Sequence, residues 1–129
     1  MKGTPALMSN PVVVKAGQGR MKELRRGRGT VQVLVSKEDG AEKVDVHINV
    51  IRAGTEPGPR HYHSEAENAY LVLEGNGLIT VGDEQYEVAP GDFVFIPPMA
   101  PHSVHNPSDT VDLRIVEIYA PAELDFVEV

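Results

Sequence analysis

Residues 54–75 read GTEPGPRHYHSEAENAYLVLEG, and this stretch carries two histidines, His61 and His63, one residue apart. On an extended strand, side chains two positions apart project from the same face, so both imidazoles can reach one metal ion. A third histidine, His102, follows the proline-rich segment PPMAP at residues 97–101. The residues between the pair and His102 have the pattern of short strands separated by glycine turns. This layout predicts a small all-β barrel with a metal inside.

Strand patterns run almost without interruption from Val31 to Tyr119. Turn formers such as Gly82-Asp83 and Pro90-Gly91 separate them. We predict eight strands, at residues 31–35, 44–51, 69–73, 78–81, 85–88, 93–96, 103–106 and 111–119. Short strands at hairpin spacing indicate an antiparallel barrel or sandwich, and helical patterns are limited to a turn near residues 21–26 or after Pro121.

Residues 44–51 alternate between apolar and mainly polar side chains. One face carries Val44, Val46, Ile48 and Val50, and the other carries Asp45, His47, Asn49 and Ile51. We expect the apolar face to pack in the core. The opposite face is expected to meet solvent, a partner subunit or the polar mouth of the barrel.

Composition limits the classes of function. A length of 129 residues predicts one domain, and a net charge of -7 argues against nucleic acid and anionic membranes as partners. The chain has no cysteine, so a metal must be held by nitrogen and oxygen atoms. No apolar run approaches the roughly 20 residues that a membrane-spanning helix needs, and the first residues lack the pattern of a signal peptide. We therefore expect a soluble, cytoplasmic protein.

The chain divides into an N-terminal arm at residues 1–30, a barrel at 31–120 and a tail at 121–129. The arm contains three consecutive valines at residues 12–14 and a stretch rich in glycine and arginine at 17–29. It can add a strand to the sheet edge of a second copy, which predicts a homodimer. The arginine run at residues 25–28 can attract an anion, although such runs are more often solvated surface.

Two ordered motifs in this sequence resemble those of the cupin family. In the first, six residues separate Gly54 from His61-Tyr62-His63, Glu67 follows, and Gly75 closes the stretch. In the second, the residues at the matching offsets are Gly91, Pro97, His102 and Asn106, with Met99 where the family has glycine. The resemblance covers residues 31–120 and implies a single-domain antiparallel barrel of the jelly-roll, or double-stranded β-helix, type.

The resemblance also implies a divalent metal held by His61, His63, His102 and a glutamate. Counting forward from His63 places that glutamate at Glu67, whereas counting back from the closing glycine places the position at Asn68. Adjacent residues on a strand face opposite sides. We expect Glu67, turned inward by a bulge, because an anionic oxygen binds a cation more strongly than an amide does, and Asn68 is the alternative.

Such a ligand set leaves one or two metal positions open and is compatible with iron, manganese, zinc, nickel or copper. The resemblance implies an enzyme that acts on a small oxygen-bearing metabolite as a dioxygenase, isomerase, decarboxylase, lyase or cyclase. A binding barrel for a sugar or hydroxy acid, without catalysis, is the alternative. His47 and Glu117 are candidate acid or base groups; otherwise His47 lies on the barrel exterior and Glu117 at an exposed edge.

Overall fold

A computed structural model of the protein describes residues 10–122 and 125–129. The strands are β1 (Arg20–Glu23), β2 (Gly29–Val35), β3 (Asp45–Ile51), β4 (His61–Tyr62), β5 (Glu67–Glu74), β6 (Gly77–Val81), β7 (Glu84–Val88), β8 (Phe93–Ile96), β9 (His102–His105), β10 (Leu113–Ala120) and β11 (Val127–Glu128). Two short 3-10 turns, Arg25–Gly27 and Lys37–Asp39, are the only helical elements among the described residues. None of those elements is long and apolar enough to cross a membrane.

The strands form two antiparallel sheets, which confirms the predicted all-β jelly-roll fold. The larger sheet has the order β1-β2-β3-β10-β5-β8, and the smaller has the order β11-β4-β9-β6-β7. Strands far apart in sequence therefore become neighbours. In the smaller sheet, β4 pairs with β9 in a register that sets His61 opposite His102, which brings the two histidine-bearing motifs together.

Apolar side chains from both sheets form the core between them. Ile51, Leu113 and Ile115 of the larger sheet and Ile79 of the smaller one are at most 1% exposed. Burying an aliphatic side chain of this size contributes roughly 1.5 to 3 kcal/mol. This buried core therefore holds the two sheets together.

Strand β3 corrects one expectation. Its inner face carries Asp45, His47 and Asn49, which line a cavity, together with Ile51 in the core. The valines of this strand lie on the outer face and are half-buried. The expected burial of the apolar face holds only for Ile48, which is 9% exposed, while the polar face lines the cavity, as one of the expected alternatives had it.

Parts of the predicted arm and tail belong to the sheets. β1 forms an edge of the larger sheet, and its Arg20 pairs with Val33 of β2. Residues 12–14 do not form a strand, and Val13 is 80% exposed. In the tail, β11 pairs with β4. Residues 1–9 of the arm and 123–124 of the tail lie outside the described residues.

Candidate metal centre

Three histidines converge inside the barrel next to β4 and β9. His61 is 9% exposed, His63 3% and His102 1%. Each offers a ring nitrogen, and these three nitrogens all lie within 4.8 Å of one another. The rings of His61 and His102 have centroids 4.3 Å apart. Three imidazoles at this spacing are compatible with one shared cation.

The rings of His61 and His102 are oriented by the backbone. The Nδ1 atom of His61 lies 2.9 Å from the carbonyl oxygen of Pro59, and that of His102 lies 2.9 Å from the carbonyl oxygen of Ala100. A carbonyl accepts but cannot donate, so Nδ1 carries the proton in both rings and Nε2 presents a lone pair. Burial lowers the pKa of His61 to about 4 and also lowers the pKa of His102. Both rings are therefore neutral at pH 7, as metal ligation requires.

The C-terminal segment orients His63 and covers His61. Nδ1 of His63 donates to the carbonyl oxygen of Asp125, and the Asp125 carboxylate accepts hydrogen bonds from the backbone N–H and the hydroxyl of Ser64, at 2.8 and 2.6 Å. The ring of Phe126 stacks on His61 with centroids 3.9 Å apart. Nε2 of His63 is buried and has no hydrogen-bond partner within the described part of the chain. It is thus available to a ligand at the centre of the cluster.

Strand β5 corrects the expectation about the fourth position. Asn68 is 1% exposed, and its Nδ2 atom lies 3.2 Å from Nε2 of His102. Glu67 is exposed, on the opposite face of the strand. The pairing of β5 with β10 shifts register only between Arg114 and Ile115, at the far end, so no bulge turns Glu67 inward. The structure places Asn68, the alternative, beside the histidines.

A second polar group, around Glu117, lies in the same interior. Glu117 is 3% exposed. Its Oε1 accepts a hydrogen bond from the Tyr119 hydroxyl at 2.6 Å, and its Oε2 accepts one from Asn49 at 2.9 Å. Nε2 of His47 lies 3.5 Å from Oε1 of Glu117, while Nδ1 of His47 lies 3.1 Å from Asp45. His47 and Glu117 are therefore interior residues, which excludes the barrel exterior for His47 and an exposed edge for Glu117.

The charges of His47 and Glu117 stabilise each other. Burial by itself lowers the pKa of His47, but hydrogen bonds and charge from Asp45 and Glu117 outweigh it and raise that pKa to about 9. Burial by itself raises the pKa of Glu117, but His47 and Tyr119 outweigh it and lower that pKa. At neutral pH the pair is an imidazolium and a carboxylate.

Tyr119 connects the two groups, and sequence reasoning did not single it out. Its ring stacks on His47 with centroids 5.2 Å apart and meets the edge of His63 at 5.1 Å. Tyr70 is buried beside Asn68 and Tyr119 and lines the same interior. The alternation of Glu117 and Tyr119 along β10 was the signal that both side chains share one face.

A cavity of about 730 Å³ connects these groups. His61, His63, His47 and Glu117 all line it. Arg28 lines it as well, although it was interpreted from the sequence as part of a solvated run. A volume of this size suits a small metabolite.

Met99 occupies the position at which the second motif has glycine. Its backbone has a φ of 69°, in the left-handed region that glycine adopts readily. The backbone N–H of Met99 donates to the carbonyl oxygen of His63 at 2.8 Å, so the turn must hold this conformation to support the histidine. The Met99 side chain is 57% exposed and is not part of the cavity lining.

Comparisons with known proteins agree with this fold. The family model described as "Cupin domain" matches residues 48–119. An uncharacterized protein of Methanocaldococcus jannaschii is 46% identical over 46 residues, which are 36% of this chain and 37% of that protein. An uncharacterized protein of Streptomyces coelicolor is 34% identical over 80 residues, which are 62% of this chain and 72% of that protein. The matched part of this chain thus spans little more than a third of the first of these relatives.

Among solved structures, the polyketide cyclase RemF from Streptomyces resistomycificus is similar to this chain with a TM-score of 0.77 and 25% sequence identity. The similarity covers 91% of this chain and 84% of the cyclase. It therefore extends beyond the two motifs to nearly the whole described fold.

Proposed function

Because this chain belongs to the cupin domain family, we propose that it is a metal-dependent enzyme whose divalent ion is held by His61, His63 and His102. The observation that carries the proposal is the convergence of three buried ring nitrogens, all within 4.8 Å. A buried nitrogen without a hydrogen-bond partner, such as Nε2 of His63 in the described structure, is costly unless a ligand satisfies it. A cation at the centre of the cluster satisfies all three rings at once.

The neighbouring Asn68 can also contribute a ligand atom to the metal. Its Oδ1 atom is buried and has no hydrogen-bond partner among the described residues, while its Nδ2 faces His102. A half-turn of the amide exchanges the two atoms and aims the oxygen at the same centre as the histidines. Nitrogen and neutral oxygen donors do not select among iron, manganese, zinc, nickel and copper.

When bound, such an ion would polarise a substrate oxygen atom. We assign proton transfer to the residues around Glu117. Glu117 lines the cavity, and the imidazolium of His47 balances the charge of its carboxylate. Glu117 accepts a proton from the substrate, and the hydroxyl of Tyr119 and the imidazolium of His47 hold its carboxylate in position. Dioxygenase, isomerase, decarboxylase, lyase and cyclase chemistry all remain compatible with this arrangement, and the similarity to a polyketide cyclase favours testing cyclisation first.

Elemental analysis of the purified protein tests the metal site. We expect about one transition-metal ion per chain in the wild type and a loss of most of that metal in His61→Ala and His102→Ala. Glu67→Gln is the matched control, since its side chain is exposed on the outer face of β5, and it should retain the metal. Full metal content in both histidine variants would refute the proposal.

A second candidate function is a barrel that binds a sugar or hydroxy acid without catalysis. The placement of Asn68 favours it, because a site without a carboxylate ligand holds its ion less firmly. This candidate predicts that chelator-treated protein still gains thermal stability with the ligand and that no ligand is converted. Loss of binding on metal removal would exclude it.

We also propose that the protein acts in the cytoplasm as a homodimer. The exposed valines at residues 12–14 support pairing with a second copy, since Val12 is 46% and Val13 80% exposed. A deletion of residues 1–14 leaves β1 in place, unlike a deletion of the whole predicted arm. Light scattering should give a dimer for the wild type and a monomer for this deletion, and an unchanged dimer would show that the arm is not responsible.

A further inference from the structure

The arginine run at residues 25–28 divides into two structural roles. The guanidinium of Arg25 lies 3.6 Å from the centroid of the Phe126 ring, and that of Arg26 forms an ion pair with Glu128. These two arginines hold the C-terminal segment over the histidine cluster. Arg28 instead lines the cavity.

Arg28 has donors without acceptors. Its Nε and Nη1 atoms are buried and have no hydrogen-bond partner within residues 10–122 and 125–129. Burial lowers the pKa of the guanidinium, and the charge of Glu117 opposes that shift, so the group stays charged at neutral pH. Two buried guanidinium donors without acceptors favour the binding of an anion that can accept their hydrogen bonds.

The guanidinium is held against Gly58. A methyl group at Gly58 would lie only 2.8 Å from Nη2 and 2.9 Å from Cζ of Arg28, so the absence of a side chain there makes room for the guanidinium. The backbone N–H of Gly58 donates to the carbonyl of Val104 at 3.0 Å, which fixes this wall. His61 follows three residues later, within about 10 Å of extended chain. A small molecule can therefore span from Arg28 to the histidine cluster.

We propose that Arg28 is the anion-binding residue of the cavity and that the ligand is a small metabolite with a carboxylate at the end that meets Arg28. The guanidinium supplies a planar set of donors that matches a carboxylate. The other end of the ligand then lies at His61, His63 and His102, and only this part rests on the proposed metal function.

The charge of the cavity favours a carboxylate over a phosphate. Among the described lining residues, four lysine and arginine side chains face five aspartate and glutamate side chains. His47 adds one positive charge as an imidazolium. A nearly neutral lining with one unpaired guanidinium suits a single negative charge better than the two charges of a phosphate monoester.

Titration calorimetry of metal-depleted and metal-loaded protein tests the proposal with three monocarboxylates, glycolate, lactate and glycerate. The corresponding amides serve as uncharged controls, and inorganic phosphate is the competing anion. We expect saturable binding of at least one carboxylate, none of its amide, and weakening of at least tenfold in Arg28→Gln. Arg28→Lys should bind with intermediate affinity, because it keeps the charge and loses the planar donors. Gly58→Ala should also weaken binding, since the methyl group displaces the guanidinium.

The matched control is Arg114→Gln. Arg114 also has a buried Nε without a partner in the described structure, but it does not line the cavity, so its loss should leave carboxylate binding unchanged. Equal binding by the wild type and Arg28→Gln, binding of none of the three carboxylates, or tighter Arg28-dependent binding of phosphate would overturn the proposal. Metal content should be unchanged in Arg28→Gln. Metal-depleted protein reports on Arg28 even if the metal function fails.

Discussion

Nε2 of His47 lies 3.5 Å from Oε1 of Glu117, and both residues belong to the buried face of the larger sheet. β3 and β10 pair in a register that sets these two residues opposite each other, so the contact is a property of the sheet itself. A cation and an anion paired in this way in a protein interior interact strongly with little screening by salt.

This pair makes stability depend on pH. The folded pKa of His47, about 9, exceeds the ordinary value of 6.5, so the stabilisation is complete below about pH 6.5 and is lost as the pH rises through 9. We expect the free energy of unfolding of the metal-depleted wild type to fall by up to about 3 kcal/mol across this window, at about 1.4 kcal/mol per pKa unit. Urea unfolding at pH 6, 7.5 and 9 measures it. His47→Gln should show a flatter profile, and parallel profiles would contradict the assignment.

Asn68→Asp adds a negative charge next to His102 without changing the size of the side chain. Because a carboxylate binds a divalent cation more strongly than an amide does, we expect affinity for the metal to rise by roughly tenfold or more. Competition with a coloured chelator measures the change. Glu67→Gln serves as the control, and an equal effect of both variants would show that the two faces of β5 are assigned incorrectly.

Met99→Gly should stabilise the protein by about 1 kcal/mol. A residue with a side chain at a φ of 69° is strained by about that amount, and the exposed Met99 side chain contributes little packing that would be lost. Thermal or urea unfolding reports the gain. Met99→Ala keeps the strain and should show none, so equal gains in the two variants would point to the side chain and not the backbone.

Much of this structure could be predicted from the sequence because the strands are short, alternating and bounded by turn formers. The convergence of the motifs around His61 and His102 was inferable from their family spacing. The inner face of β3 was not, because alternation shows that two faces differ but does not show which one turns inward. In this barrel the polar face is the inner one, since it carries His47 into the cavity.

The positions of Arg28 and Phe126 could not be predicted from the sequence either. Both lie in segments whose composition predicts loops, and their positions depend on contacts between the two ends of the chain, as between Arg26 and Glu128. The choice between Glu67 and Asn68 depended on whether β5 contains a bulge near its start, which the spacing left open and the regular pairing of that strand resolves.

The C-terminal segment, residues 125–129, supports the histidine cluster. Asp125 orients His63, Phe126 covers His61, and Val129 donates a backbone hydrogen bond to Arg60. A truncation before Asp125 would therefore uncover His61 and release the ring of His63, and it would also remove β11 from the edge of the smaller sheet. Any engineered change to residues 125–129 therefore alters the surroundings of the histidine cluster as well as the edge of the sheet.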